Sequence, residues 1–190
     1  KILLSLDNFV QPDSKLPQDF SRKIQRYTNL EVLDLWFHSD AGLTYFSSVL
    51  SSVGTLQNLH HLAVNFEIRL NSQQENNLFS YLMCCINLVS LKIAGLRDSN
   101  TYTLILGRIR EFKRLQSLSL LAGPYLLLPK EWSSSKTNMA DSLQGLKELV
   151  IEAPSDKIFT LLTAMDQLES IEAFAYRRND QEKSPGNSTG

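Results

Sequence analysis

Cysteine, glycine and one-sided charge are all scarce in this chain of 190 residues. Only two cysteines occur, Cys84 and Cys85, and they are adjacent. Neighbouring cysteines pair with each other only under strain. That excludes a disulfide framework and points to a reducing, cytosolic setting. Eight glycines form no glycine-rich phosphate loop. Nineteen basic residues against twenty acidic ones give a net charge of −1, without the basic excess of a nucleic-acid binder. The apolar run from Tyr125 to Pro129 falls far short of the roughly 18 residues a membrane span requires, and no signal peptide is visible. The start at Lys1, without Met, suggests a piece of a longer protein. Polar sites for catalysis are thin as well. The three histidines are His38, His60 and His61. None lies in a catalytic motif, and no G-x-S-x-G elbow is present. The residues therefore point to a chain without enzymatic activity and without a cofactor.

What the chain does have is one phrase, L-x-x-L-x-L, said repeatedly. It appears as Leu30-x-x-Leu33-x-Leu35, Leu59-x-x-Leu62-x-Val64, Leu88-x-x-Leu91-x-Ile93, Leu115-x-x-Leu118-x-Leu120, Leu146-x-x-Leu149-x-Ile151 and Leu168-x-x-Ile171-x-Ala173. Leu4-x-Leu6 keeps the end of a further copy. The last apolar position falls at 6, 35, 64 and 93, at intervals of 29 residues, and then at 120, 151 and 173. A regular period of this size is the mark of one structural unit copied in tandem.

The residues ahead of each phrase repeat too. Three before the first Leu stand Tyr27, Leu56, Cys85, Phe112, Leu143 and Met165. Six before stand Ile24, Val53, Leu82, Ile109, Ala140 and Leu162. Ten before stand Phe20, Val49, Leu78, Ile105, Lys136 and Ile158, with Lys136 the one break. Spacings of three and four align these side chains on one helix face. The alternation L-x-L aligns the other set on one strand face. Each unit is thus strand, turn, helix and return. Helix starts are marked at Asn71-Ser72, Asp98-Ser99-Asn100 and Pro154-Ser155-Asp156, residues that satisfy exposed N–H groups. A helix is expected over 18–27, after Pro12 and Pro17. Gly123-Pro124 and the polar stretch 130–138 predict a longer loop in the fifth unit.

One unit cannot bury its own apolar face, so stacking is required. Strands repeat at about 4.8 Å and helices at about 10 Å. The stack must therefore bend with its strands inside. The expected fold is an α/β solenoid, a horseshoe of about six to seven repeats. Parallel strands line its concave face and helices its convex face. It spans 1–176, with a polar tail over 177–190.

On these residues the chain resembles leucine-rich-repeat proteins. The 29-residue unit with a full helix resembles the long, ribonuclease-inhibitor-like class, which includes the sensing ends of cytosolic NACHT-containing immune receptors. The family's phrase often continues to an Asn at the turn after the strand; here the positions near Ser39, Ile68, Arg97 and Pro124 are not Asn. The resemblance implies a non-enzymatic protein-interaction module, the sensing or autoinhibitory region of an innate immune receptor. The alternative is the substrate-recruiting arm of an F-box ubiquitin ligase, whose units run shorter, near 26 residues. The partner expected is a protein ligand or another domain of the parent chain, with no nucleic acid and no membrane.

The residues between the Leu positions point to the concave surface. Asp34, Trp36, His61, Asn65, Lys92, Glu148, Glu152 and Glu172 are the candidate partner-binding residues. Trp36 leads them, because a solvent-facing Trp offers a large apolar ring with one N–H, the chemistry of interface hot spots. The plainer reading is that neighbouring loops cover it. Glu148, Glu152 and Glu172 could form an acidic patch for a basic ligand, or simply a solvated face. Phe174 and Tyr176 could cap the last strand or meet the next repeat of the parent. His60-His61 and Cys84-Cys85 lack the spacing of metal ligands, since adjacent side chains diverge. Asn187-Ser188-Thr189 matches a glycosylation acceptor, silent in a cytosolic protein.

Overall fold

Each L-x-x-L-x-L phrase ends in a β-strand. The computed structural model describes residues 1–5, 22–38, 46–67, 70–96, 99–121, 143, 145–154 and 169–176. Its strands are β1 (Ile2–Ser5), β2 (Val32–Phe37), β3 (His61–Phe66), β4 (Ser90–Ala94), β5 (Ser117–Leu121), β6 (Glu148–Pro154) and β7 (Ser170–Tyr176). They form one seven-stranded sheet in sequence order, and every pairing is parallel. The chain is therefore α/β.

The register follows the phrase. Leu33, Leu62, Leu91, Leu118, Leu149 and Ile171 stand side by side across six strands, and Leu35, Val64, Ile93, Leu120, Ile151 and Ala173 form a second line. Every residue from Leu33 to Leu149 in the first line, and from Leu35 to Ile151 in the second, is buried. A slip of one residue would turn both lines outward. Burying each Leu is worth roughly 1.5–3 kcal/mol, so the register is strongly held.

The backbone repeats the same bond at five successive strand entrances. The carbonyl of Glu31 accepts from the amides of His60 and His61, at 3.0 and 2.9 Å. The carbonyl of His60 likewise accepts from Val89 and Ser90, that of Val89 from Gln116 and Ser117, that of Gln116 from Lys147 and Glu148, and that of Lys147 from Glu169 and Ser170. Each unit is thereby tied to the next at the same point.

Helices fill the returns. They are α1 (Phe46–Val53), α2 (Ser72–Cys84) and α3 (Ser99–Gly107), followed by a 3-10 turn, Ile109–Glu111. Residues 22–26 are also helical. Helix α1 packs on α2, and α2 on α3. The side chains expected to face inward do so: Ile24, Val49, Val53 and Leu56, then Leu78, Leu82 and Cys85, then Ile105, Ile109 and Phe112 are buried in one cluster with the strand residues. Helix α2 starts where Asn71 predicted. The Asn71 side chain accepts from the Gln74 amide at 2.9 Å, and the Gln74 side chain accepts from the Asn71 amide at 2.8 Å, a reciprocal cap. Phe37, Phe46 and Phe66 add an aromatic knot, with ring centroids 5.3 to 5.9 Å apart.

One inward position is corrected. Tyr27 was expected in the core beside Leu56 and Cys85, yet it is 51% exposed. It follows the first described helical turn, and no described helix precedes that turn to cover it.

Several expectations lie outside the described residues. They are the contributions of Phe20, Lys136, Ala140, Ile158, Leu162 and Met165, and the starts of the first and sixth helices. So do the loop at Gly123-Pro124 and 130–138, the turn positions Ser39, Ile68, Arg97 and Pro124, and the tail over 177–190 with its Asn187 triplet.

Candidate protein-binding face

The sheet face opposite the helices carries the residues that alternate with the buried lines. They fall into lateral rows. One row runs Val32, His61, Ser90, Ser117, Glu148 and Ser170. The next runs Asp34, Ala63, Lys92, Ser119, Val150 and Glu172. A third begins Trp36, Asn65, Ala94 and Leu121, while Glu152 and Phe174 oppose each other on β6 and β7. The eight candidate residues therefore share one face, with adjacent strands near 4.8 Å apart.

The β2–β3 end is aromatic and hydrogen-bonded. Trp36 is half-buried and lies parallel to the His38 ring, with centroids 5.5 Å apart and an interplanar angle of 20°. His38 Nδ1 in turn stands 3.0 Å from Glu67 Oε2. His38 and Glu67 each follow their strand directly, one unit apart. The sequence reading gave neither a role; the matching offset from Phe37 and Phe66 was the available signal.

Asn65 is a second correction. It was expected on the open concave surface as a partner-binding candidate, yet it is buried at 6% exposure. Its Nδ2 donates to Asp34 Oδ1 at 2.8 Å and toward the Leu35 carbonyl at 3.4 Å. Trp36 stands directly opposite it on β2. Alternation places Asn65 on the outward face, but its neighbours close over it. Asn65 thus holds Asp34 through one of its two carboxylate oxygens.

The middle of the face is low. Ala63, Ser90, Ala94, Ser117 and Ser119 carry small side chains. Exposed Lys92 rises between Ala63 and Ser119, so no carboxylate lies directly across from it.

The β6–β7 end is acidic. Glu172 opposes Val150, with Glu148 and Glu152 two residues to either side on β6. Diagonal neighbours of this kind sit about 7–8 Å apart. Glu148 and Glu172 are exposed and Glu152 is half-buried. The cation nearest in sequence, Lys147, is engaged at the strand entrance by Glu169, at 2.9 Å. That contact raises the lysine pKa above its ordinary range. At the other end of the sheet His61, beside Val32 in the first row, is exposed.

The reactive groups lie elsewhere. Cys85 is buried, and desolvation, helped by neighbouring Cys84, pushes its thiol up to about 12. A thiol so protonated is a poor nucleophile. Tyr102 is fully buried between α3 and the sheet. Its hydroxyl donates to the Leu121 carbonyl at 3.0 Å and accepts from the Leu96 amide at 3.2 Å. Burial raises its pKa above the usual tyrosine range. Among the described residues no group of three His, Cys, Asp or Glu side chains could hold a metal ion, and no helix is long and apolar enough to cross a membrane.

Comparison with known proteins leaves the chain to be read from its own residues, since no protein-family model matches it and no curated protein does.

Proposed function

We propose that this chain is a stretch of leucine-rich-repeat horseshoe that recognises another protein with its strand face and performs no chemistry. The supporting observation is the arrangement of the outward rows. A half-exposed Trp36 on a hydrogen-bonded end, a trough of small residues and an acidic end share one rigid parallel sheet. Rigid presentation reduces the ordering cost of docking. The sequential parallel order, the uniform register and the five equivalent strand-entrance bonds all suit a tandem stack. Wide helices on one side and narrow strands on the other would bend such a stack, placing the candidate face on its inner surface.

On the same reading, the parent is a cytosolic receptor of the NACHT-containing immune class, and the partner is a protein ligand or another domain of that parent. The face would hold the parent closed until a ligand favours the open state.

The test is site-specific photo-crosslinking in the intact parent chain. A photo-reactive residue replaces His61 or Lys92 on the strand face, or Ser47 or Gln73 on the helices. Crosslinks to one defined protein or domain from the strand-face positions alone are expected. Equal yields from the helix positions would refute the reading.

A further inference from the structure

Adjacent units are laced together at their turns by one recurrent side-chain position, the residue before the first Leu of each phrase. Asn58 Nδ2 donates to the Thr28 carbonyl at 2.7 Å, and Asn87 Nδ2 to the Gln57 carbonyl at 2.7 Å. Arg114, next in the series, reaches Asn87 Oδ1 at 3.3 Å. At the following position stands Gly145, which has no side chain to reach back. Its φ is +96°, and a Cβ built there would meet nothing within 4 Å. Where the lacing stops, a cleft of about 430 Å³ opens between the turn entering β5 and the turn entering β6.

The cleft has a distinct chemistry. Phe112, Leu115 and Leu146 supply apolar walls, and Arg110, Lys113 and Arg114 stand around it. All three cations are exposed, and no carboxylate pairs with them among the described residues. The nearby carboxylate, Glu111, is held by Arg108 through two hydrogen bonds. That contact, with the charges of Arg110 and Lys113, keeps its carboxyl below the usual range. The Arg114 contact to Asn87 is with a neutral amide, so its charge stays uncompensated.

We propose that this cleft binds a small organic phosphate, its phosphate held by Arg110, Lys113 and Arg114 and its apolar part against Phe112 and Leu146. Guanidinium groups match phosphate oxygens in a bidentate fork. A volume of this size is that of a small-molecule site. The site lies at the turns before the strands, away from the outward rows, and does not depend on the protein-docking reading.

The test uses the full chain and three probes, phenyl phosphate, inorganic phosphate and phenol, followed by calorimetry and amide chemical shifts. Phenyl phosphate is expected to bind more tightly than inorganic phosphate, and phenol not at all, with shifts at residues 109–116 and 143–146. The double variant Arg110→Gln/Lys113→Gln, on exposed positions, should weaken phenyl phosphate at least tenfold at unchanged Tm. The control Arg22→Gln/Lys23→Gln should leave it unaltered. Gly145→Asn would extend the lacing into the cleft and should abolish binding. An affinity for phenyl phosphate no greater than for inorganic phosphate overturns the proposal. So does a change below threefold in the Arg110/Lys113 variant, or shifts confined to other surfaces.

Discussion

The side-chain amide of Asn87 donates to the backbone carbonyl of Gln57 at 2.7 Å, one unit on from the equivalent bond of Asn58 to Thr28. Each bond caps a turn carbonyl of the preceding unit and so couples neighbours directly. A hydrogen bond of this kind is worth about 1 kcal/mol net. Asn87→Ala should therefore lower Tm by about 2–4 °C in a domain of this size. Asn87 also receives Arg114, so the double change Asn87→Ala/Arg114→Ala should cost less than the two single changes added together. Additive losses in a double-mutant cycle would show that the contacts are independent.

Among the described glycines, Gly95 is the least open to change. Its φ is +82°, and a Cβ there would stand 1.7 Å from the Phe66 carbonyl oxygen. The same residue donates its amide to the Leu121 carbonyl at 3.1 Å, linking the end of β4 to β5. Relieving the clash by moving the backbone would break that link. Gly95→Ala should destabilise by at least about 2 kcal/mol, combining left-handed strain with a displaced strand end. Gly145→Ala has the same φ problem but open space, and should cost clearly less. Equal losses by thermal melting would contradict the close approach at Phe66.

The two glycines show what a linear reading can and cannot reach. The line Leu33–Leu62–Leu91–Leu118–Leu149 was legible because one spacing recurs and alternation dictates side-chain direction. The helix positions Val53, Leu82 and Ile109 were legible for the same reason. The proximity of Gly95 to Phe66 belongs to two units at once, and no local pattern signals it. The burial of Asn65 escaped for a similar cause: alternation gives a direction, but Asp34 and the opposing Trp36 on the neighbouring strand decide whether water reaches it. The exposure of Tyr27 depends on which helices stand beside it. The asparagines at 29, 58 and 87 recur every 29 residues, a period the sequence reading passed over, and their reach to the carbonyls of Thr28 and Gln57 has no local signal. The cleft beside Gly145 follows from the break in that period.

Cys85 and Tyr102 should make the fold sensitive to base. Burial pushes the Cys85 thiol from its ordinary 9.0 up to about 12 and raises the Tyr102 hydroxyl in the same direction. Both hold their protons more firmly folded than unfolded. For Cys85 the added stability is complete below pH 9 and is lost as pH climbs toward 12. Tm should accordingly fall through that window, and less steeply in Cys85→Ala after allowance for its altered baseline. In the native protein at pH 8 a thiol reagent should modify one cysteine, the exposed Cys84, and the second only in urea. Rapid reaction of both thiols before unfolding would remove the buried assignment of Cys85.

Trp36 carries the interaction reading, and its substitution separates folding from recognition. The ring stacks on His38 and stands opposite buried Asn65. Trp36→Ala should therefore cost some stability, on the order of 1 kcal/mol for a lost aromatic pair. Trp36→Phe retains a ring and should restore most of that loss. Against the protein identified by strand-face crosslinking, Trp36→Ala should weaken affinity at least tenfold, since buried aromatic anchors dominate interfaces. Glu172→Gln, at the acidic end, should act mainly on the association rate and its salt dependence. The decisive comparison is Asp34→Asn. It can keep an oxygen for the Asn65 amide, so stability should change little, while the charge offered to a partner is gone. Affinity unchanged in both Trp36→Ala and Asp34→Asn, measured where both variants are folded, would remove the β2 end of the sheet from the interface.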